Sequence, residues 1–223
     1  MPTEQFFSLS AQEQQRLEDA AIAEFASQPY DSASISAIIS SAELPRARFY
    51  ECFQDKADLY AHVLNLVGER KRALAAGMTP PAANLDTFAY LRWLLQIAVL
   101  FELRHPLLAS VERRASLEPN PLRPEARMGD QAYFSDFLTQ GILHDDIAPW
   151  VDTPMAAFLL STLYPHLASH LVQRMGPKAE SLRDGSVDIA YDPLTQDLFD
   201  NLMDLLEAGM AREPQIRKDF YSK

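Results

Sequence analysis

The sequence predicts an all-α fold from three observations. Apolar residues recur at spacings of three and four along most of the chain, which is the pattern of helices with one buried face. No segment alternates apolar and polar residues over any length, as a half-buried strand would. Fifteen prolines against seven glycines suit helices separated by firm breaks.

The first helix is predicted to begin at Ala11 and to end before Pro29. Ser10 and Glu13 have the spacing of a capping box, in which each side chain accepts a hydrogen bond from the other residue's backbone N–H. A polar loop follows, and Ser34 has a suitable side chain to cap a second helix.

A third helix begins near Pro45, because proline lacks the N–H that would be unpaired at a first helical position. This helix ends around Phe53. Asp55 then caps a fourth helix, with Asp58 placed to complete a capping box, and the helix continues to about Ala76. A Thr-Pro-Pro run breaks it.

Residues 34–60 are the stretch around which the chain is organised. The second and third helices have roughly two turns each, too short to be stable alone, so both must pack on a supporting helix. Two short helices joined by a tight turn on a supporting helix make the helix-turn-helix plan. The apolar positions that define their inner faces are Ile35, Ile38, Ile39, Ala42, Leu44, Phe49 and Phe53.

Three groups of residues occur in and just before this stretch, each at a defined spacing. They are Ala20-Ala21-x3-Phe25, then Ile35, Ile38 and Ala42, then Phe49-Tyr50-x-x-Phe53-x-x-Lys56-x-x-Leu59. Over about a quarter of the chain, this pattern resembles the DNA-binding segment of the tetracycline-repressor-like (TetR) transcriptional regulators. The resemblance implies a three-helix DNA-binding domain at residues 1–60, a fourth helix at 55–77 that bridges two domains, and a larger helical ligand-binding and dimerisation domain at 78–223.

Base edges in the major groove accept hydrogen bonds from arginine, so Arg46 and Arg48 in the first turn of the third helix are expected to read DNA. The resemblance implies that Tyr50 and two serines at the start of the second helix contact phosphates. Lys56 and the N–H groups at the start of the fourth helix are expected to contact another phosphate. The predicted DNA-binding residues are Ser34, Ser36, Arg46, Ala47, Arg48, Tyr50 and Lys56.

The stretch departs from the family pattern at two positions of the turn, and an acidic side chain follows in the third helix. Glu43 stands where the family usually has glycine, so it must adopt a backbone conformation that glycine takes more easily. Pro45 replaces a small polar residue and supplies no side-chain cap. Glu51 repels phosphate but can accept a hydrogen bond from a cytosine amino group. The sequence therefore predicts the helix-turn-helix more firmly than its base preference.

The charge balance weighs against strong, salt-driven DNA affinity. The whole chain has a net charge of −11, and residues 1–60 carry four basic against ten acidic side chains, a net charge of −6. Within residues 34–56 the count is three against three. A nonspecific nucleic-acid binder is strongly basic, so that class is excluded.

The second half divides into helices at its prolines and glycines. His105-Pro106 stops one helix, Gly141 suits the position just after another, and residues 176–193 are predicted to be a mobile polar loop. The predicted helices are Asn84–Arg104, a shorter helix to about Leu117, Glu125–Gln140, Met155–Met175 and Leu194–Arg212.

Two of these helices are suited to self-association. Residues 155–175 are apolar around much of the helix surface, which predicts burial on more than one side. The resemblance implies a homodimer formed through helices at about 154–175 and 194–212. A two-fold dimer presents two recognition helices to a palindromic site on double-stranded DNA.

The aromatic residues of the second half have two interpretations. They form ordinary helical core, or, as the resemblance implies, they line a pocket for a small, largely apolar ligand. The candidate lining residues are Trp93, Phe101, Tyr133, Phe134, Phe137, Phe158 and Tyr164.

His166 and His170 have a spacing that can hold a metal, but no third ligand is evident nearby. A partly buried or dimer-facing histidine pair is favoured, and no metal or cofactor is predicted. Cys52 is expected to pack beside Phe49 and Phe53, with its thiol pKa raised by acidic neighbours. A single cysteine excludes an intramolecular disulfide and fits a reducing cytoplasm.

These observations are compatible with two alternative functions. The favoured one is a cytoplasmic, homodimeric, ligand-responsive transcriptional regulator, a repressor rather than an activator, with no enzymatic activity, because no catalytic motif is visible. The longest apolar stretch, residues 93–101, is too short to span a bilayer. The alternative is an all-α interaction protein whose DNA-binding-like subdomain does not bind an operator, which the acidic N-terminal third favours.

Overall fold

The fold is all-α, as predicted. The computed structural model describes residues 2–81, 86–122, 126–184 and 188–212, and within these ranges it contains helices and no β-strand. The helices are α1 (Glu4–Phe7), α2 (Ala11–Ser27), α3 (Ile35–Ser41), α4 (Arg46–Cys52), α5 (Lys56–Ala76), α6 (Thr87–Arg104), α7 (Pro106–Leu117), α8 (Ala126–Leu143), α9 (Thr153–Met175), α10 (Lys178–Arg183) and α11 (Pro193–Met210). The expected helix starts at Asn84 and Glu125 lie outside the described residues.

The helices form two compact units. Unit 1 comprises α1 to α4, α5 up to Ala73, and α7, whereas unit 2 comprises the end of α5, α6 and α8 to α11. The sequence placed α7 with the C-terminal helices. In the structure α7 packs on α2, and both the Ser110 hydroxyl and the Arg114 Nε donate hydrogen bonds to the Ala26 carbonyl oxygen, at 3.2 and 3.1 Å. Unit 1 is therefore larger than the DNA-binding domain expected at residues 1–60.

Unit 1 is built around α2. The predicted capping box is present, because the Glu13 N–H donates to Ser10 Oγ at 3.3 Å and the Ser10 N–H donates to Glu13 Oε2 at 2.9 Å. The inner face of α2 is buried against its neighbours, with Leu17 and Phe25 almost completely inaccessible. This face supports the short helix α3, whereas α4 packs against α1 and α3.

Unit 2 contains a helix that the sequence did not predict. The segment expected to be a loop at residues 176–193 includes α10, whose Leu182 is buried, and Ile189 beyond it is buried as well. The Arg183 Nε donates to the Leu103 carbonyl oxygen at 3.1 Å. A six-residue helix has too little apolar periodicity to be recognised from sequence, and its stability depends on this packing against distant residues.

Gly141 is not the residue that ends its helix, contrary to the prediction, because α8 continues through it to Leu143. Glycine is required here by close packing. A Cβ on Gly141 would lie 2.7 Å from Ile147 Cδ1 and 2.8 Å from Thr87 Oγ1, distances that real Cβ contacts do not reach. The glycine thus lets the α8 backbone approach the start of α6 closely.

By length and composition, one helix of the described residues could cross a bilayer. This helix is α9, whose most apolar 18-residue window has a mean hydropathy of 1.2 and is 28% buried. Unit 2 uses one face of α9 as core, with Ala157, Leu160 and Leu171 buried. The other face is partly apolar and exposed.

Replacing Gly141 by alanine is expected to lower the free energy of unfolding by about 1–3 kcal/mol, because the added methyl group overlaps two packed side chains. Gly68→Ala is the matched control inside α5, since its Cβ would meet only the flexible Arg72 guanidinium, at 3.2 Å. The control is expected to be neutral or slightly stabilising because alanine favours helix. Urea denaturation of both variants measures the difference; equal effects would show that Gly141 has no packing role.

Candidate nucleic-acid interface

The turn between α3 and α4 is a Schellman motif with glutamate in the position that glycine usually occupies. The Glu43 N–H donates to the Ser40 carbonyl and the Leu44 N–H to the Ile39 carbonyl, at 3.3 and 3.2 Å, which closes the end of α3. Glu43 has φ 55°, so the expected glycine-like conformation is confirmed. Its carboxylate accepts a hydrogen bond from Arg16 at 3.1 Å, which offsets its charge.

The orientation of α4 follows from its two buried side chains. Phe49 and Cys52 are completely inaccessible and face the core of unit 1. Because successive residues on a helix are 100° apart, Ala47 lies at the centre of the opposite face, with Tyr50 and Glu51 on either side of it. All three are exposed, so a small side chain lies at the centre of the outward face, flanked by larger polar ones.

Arg46 lies at one edge of this face and joins two of the predicted residues. Its guanidinium donates to Tyr50 Oη at 3.3 Å and to Ser36 Oγ at 3.5 Å, and its Cζ atom lies 5.7 Å from the Tyr50 ring centroid. The structure thus brings together one residue of α3 and two of α4. We call Ser36, Arg46 and Tyr50 the Arg46 patch.

Arg48 and Glu51 form an ion pair at the other edge. Arg48 Nη1 donates to Glu51 Oε2 at 2.8 Å across one turn of α4. The side chains are 33% and 51% exposed. This hydrogen bond raises the pKa of Arg48, and the pair presents both signs of charge to solvent.

Lys56 is engaged inside unit 1. Its ammonium donates to the carbonyl oxygens of Tyr30, Asp31 and Ala33, at 2.7, 3.2 and 3.0 Å, and lies 4.5 Å from the Tyr30 ring centroid. An ammonium has three donors, so none remains for a phosphate in this conformation. Lys56 therefore ties the start of α5 to the loop before α3.

Ser34 also has internal bonds. Its hydroxyl oxygen caps α3 by accepting the Ala37 N–H at 3.3 Å, as predicted, and its own N–H donates to Glu24 Oε1 at 2.8 Å. Its hydroxyl hydrogen is not used in either bond. The serine is exposed at the start of α3.

The N-terminal segment supports α4, and sequence reasoning missed this. The Thr3 N–H donates to the Cys52 carbonyl at 3.0 Å and the Thr3 hydroxyl to the Glu51 carbonyl at 2.6 Å, satisfying two carbonyls at the end of α4. Phe6 is buried, with its ring edge-on to Phe53 at 5.3 Å between centroids. The sequence did contain a signal for this packing, namely the two consecutive phenylalanines, Phe6 and Phe7, before the capping box.

Cys52 is fully buried. Burial raises the pKa of its thiol, and Glu51 adds to this while Arg48 opposes it. The direction of the expected shift is confirmed, although burial rather than acidic neighbours is the main cause. A buried thiol with a raised pKa is a poor nucleophile.

A sequence profile described as bacterial regulatory proteins, tetR family, matches residues 17–63. These residues include α3, the turn and α4. Among solved structures, a TetR family transcriptional regulator from Chloroflexus aurantiacus J-10-FL is 36% identical with a TM-score of 0.79, over 96% of this chain and 100% of that one. The chain belongs to the TetR family of transcriptional regulators.

Two more distant structures share the fold. The TetR family protein CprB from S. coelicolor A3(2) is 17% identical with a TM-score of 0.60, over 90% of both chains. A gamma-butyrolactone receptor described as ArpA-like is 17% identical with a TM-score of 0.57, over 90% of this chain and 88% of that one. A search of curated protein sequences yields no match. Membership of the TetR family implies DNA binding and dimer formation.

The aromatic candidates of unit 2 are brought together in part. The rings of Phe134 and Tyr164 meet edge-on at 5.5 Å, and those of Tyr133 and Phe137 stack at 6.5 Å. Tyr90, which is not among the residues predicted from the sequence, links Phe137 to Trp93 at centroid distances of 6.0 and 5.7 Å. Burial, with Tyr90 nearby, raises the pKa of Tyr133 to about 12.

The remaining two candidates differ in environment. Phe101 is buried and Phe158 is 52% exposed on α9. Two surface grooves of unit 2, of about 460 and 290 Å³, lie elsewhere, and acidic side chains make up at least half of the lining of each. Their acidic residues are Asp86, Asp145, Asp146, Asp200, Asp204 and Glu207. His166 and His170 are exposed, and no cluster of three metal-ligating side chains occurs among the described residues.

Replacing Phe6 by alanine is expected to lower the free energy of unfolding by about 3–5 kcal/mol, because Phe6 is 2% exposed. Phe7→Ala is the matched control, because the neighbouring side chain of Phe7 is 66% exposed. Its free energy of unfolding is expected to change by no more than about 0.5 kcal/mol. Urea denaturation of both variants checks this. Equal stabilities would contradict the role of α1 as a support for α4.

Proposed function

We propose that this protein is a cytoplasmic, homodimeric, ligand-responsive repressor that binds a palindromic operator through α4. The observation that carries the proposal is the outward face of α4, which presents Arg46, Ala47 and Tyr50 to solvent over a buried Phe49. A single exposed helix of this kind fits the major groove, and arginine there recognises base edges or phosphates. Ser34 and Ser36 at the start of α3 are proposed phosphate contacts.

The acidic residues near α4 oppose binding less than their number suggests. Glu43 is paired with Arg16 and Glu51 with Arg48. Paired charges produce a smaller repulsive potential at a nearby phosphate than isolated ones do. Lys56 has a revised role in this proposal, because its ammonium holds the loop before α3 in place. The proposed phosphate donors are the N–H groups at the start of α5 other than that of Asp58, which donates to the Asp55 side chain.

The exposed face of α9 supports the homodimer. Met155, Phe158, Leu159 and Leu163 are each at least half exposed and recur at helical spacing. Leu205 on α11 is 71% exposed. Large apolar side chains in such a stripe are the signature of a covered surface, and a two-fold dimer would bury the same stripe on both copies. His166 and His170 continue the stripe on α9.

The aromatic group of unit 2 supports a ligand site. Tyr90, Trp93, Tyr133, Phe134, Phe137 and Tyr164 supply a largely apolar surface, and the buried Trp93 Nε1 has no hydrogen-bond partner. An apolar ligand with one acceptor would match this surface. Because α5 begins in unit 1 and ends in unit 2, we propose that the ligand changes DNA affinity by favouring one position of α5.

The alternative function is an interaction protein that does not use its helix-turn-helix for DNA. The net charge of −6 over residues 1–60 favours it. A salt titration separates the two functions, since phosphate contacts make affinity fall as salt rises. Absence of binding to any duplex at low salt would favour the interaction protein.

Replacing Arg46, Arg48 and Tyr50 together by alanine is expected to reduce affinity for a duplex selected by the wild-type protein by roughly 100-fold or more, because base and phosphate contacts are lost. The slope of affinity against salt is also expected to decrease. Fluorescence anisotropy with labelled duplex measures both quantities.

Arg70→Ala with Arg72→Ala is the matched control for this variant. It removes the same two charges from exposed positions on α5 and is expected to leave affinity within a fewfold of wild type. Circular dichroism confirms that both variants remain folded. Unchanged affinity in the triple variant would remove α4 as the DNA-reading element.

Replacing Leu159 and Leu163 by arginine is expected to convert the dimer to a monomer, because the charges would be buried without partners in the interface. Light scattering after gel filtration should show the mass change from twice 25.1 kDa to 25.1 kDa. Leu143→Arg is the control, since Leu143 is 69% exposed after α8. A dimeric double variant would place the interface on another surface.

A further inference from the structure

The Arg48–Glu51 ion pair of α4 keeps hydrogen-bonding groups that the pairing itself does not use. Arg48 uses one Nη1 hydrogen for Glu51 Oε2, at 2.8 Å, which leaves the other guanidinium hydrogens as donors and Glu51 Oε1 as an acceptor. Glu51 lies beside Ala47 on the outward face of the helix. Donors and an acceptor are therefore held side by side where α4 would meet a groove.

The main chain under this pair is fixed as well. The Thr3 hydroxyl donates to the Glu51 carbonyl at 2.6 Å, and Cys52, the next residue, is completely buried. The backbone of Glu51 is thus anchored on two sides without using its carboxylate. A side chain on an anchored backbone, with a partner one turn away, loses less freedom when it binds a base.

The order of hydrogen-bond donors and acceptor on the Arg48–Glu51 ion pair matches one kind of base pair. In the major groove a G·C pair presents two acceptors, N7 and O6 of guanine, followed by a donor, N4 of cytosine. An A·T pair presents an acceptor, a donor and an acceptor, followed by a methyl group. Two donors from Arg48 followed by the Glu51 acceptor fit the first order and not the second.

A carboxylate on this face would otherwise only weaken DNA binding. It repels phosphates, and desolvating it in the groove costs free energy unless it accepts a hydrogen bond. Cytosine N4 supplies such a donor, while Arg48 offsets the charge. Arg48 and Glu51 then both have hydrogen-bond partners in the complex with DNA.

We propose that Arg48 and Glu51 act as one unit that reads a G·C base pair in each half-site. This rests on the proposed DNA-binding function. Arg48 donates to guanine and Glu51 accepts from the paired cytosine, so the pair determines base preference at that position. The Arg46 patch, at the other edge of α4, contributes contacts that do not depend on this base pair.

The test is a selection of binding sites from a random-sequence duplex library with the full-length chain. The wild-type protein is expected to select one fixed G·C pair in each half-site. Glu51→Ala and Arg48→Lys are each expected to reduce discrimination at that pair by about tenfold while preferences at other positions persist. Glu51→Gln keeps the shape and one acceptor and is expected to fall between them and wild type.

Glu69→Ala on α5 is the control, because it removes one exposed negative charge away from α4 and is expected to leave every base preference unchanged. The proposal is overturned if Glu51→Ala raises affinity for all sequences equally with the same base preference, since Glu51 would then only repel phosphate. It is also overturned if wild type fixes no G·C pair. Failure of wild type to bind any duplex at low salt would instead reject the proposed function itself.

Discussion

The burial of Phe49 and Phe53 is the constraint on which the DNA-binding unit depends. Both rings are completely inaccessible, and Phe6 from the N-terminal segment packs edge-on against Phe53. A seven-residue helix has almost no stability of its own, so these contacts determine both that α4 exists and which face it exposes. The exposure of Arg46, Ala47 and Tyr50 follows directly from the burial behind them.

Three of the four basic side chains in residues 1–60 pair with carboxylates or backbone carbonyls inside unit 1. Arg16 pairs with Glu43, Arg48 pairs with Glu51, and Lys56 bonds three carbonyls. A net charge of −6 over residues 1–60 gives little long-range steering toward DNA. Close and well-placed contacts must then supply most of the binding free energy. Such contacts discriminate between bases, whereas a diffuse positive field does not.

Unit 2 places its apolar residues in three different environments. One face of α9 contributes Ala157, Leu160 and Leu171 to the core, while the opposite face leaves Phe158 and Leu163 exposed. A separate group of aromatic rings runs from Trp93 and Tyr90 to Phe134 and Tyr164, and the buried Trp93 Nε1 has no hydrogen-bond partner. Apolar surface alone does not distinguish core, interface and ligand site, and so periodicity could not assign these residues.

The sequence by itself determined what depends on neighbours along the chain. The capping box of Ser10 and Glu13 and the left-handed backbone at Glu43 are local, because caps and turns involve residues within about five positions. Only the tertiary structure decided the grouping of α7 with α2, the role of α1, the close packing at Gly141 and the internal bonds of Lys56. These depend on contacts between residues distant in sequence, which local spacing and composition do not encode.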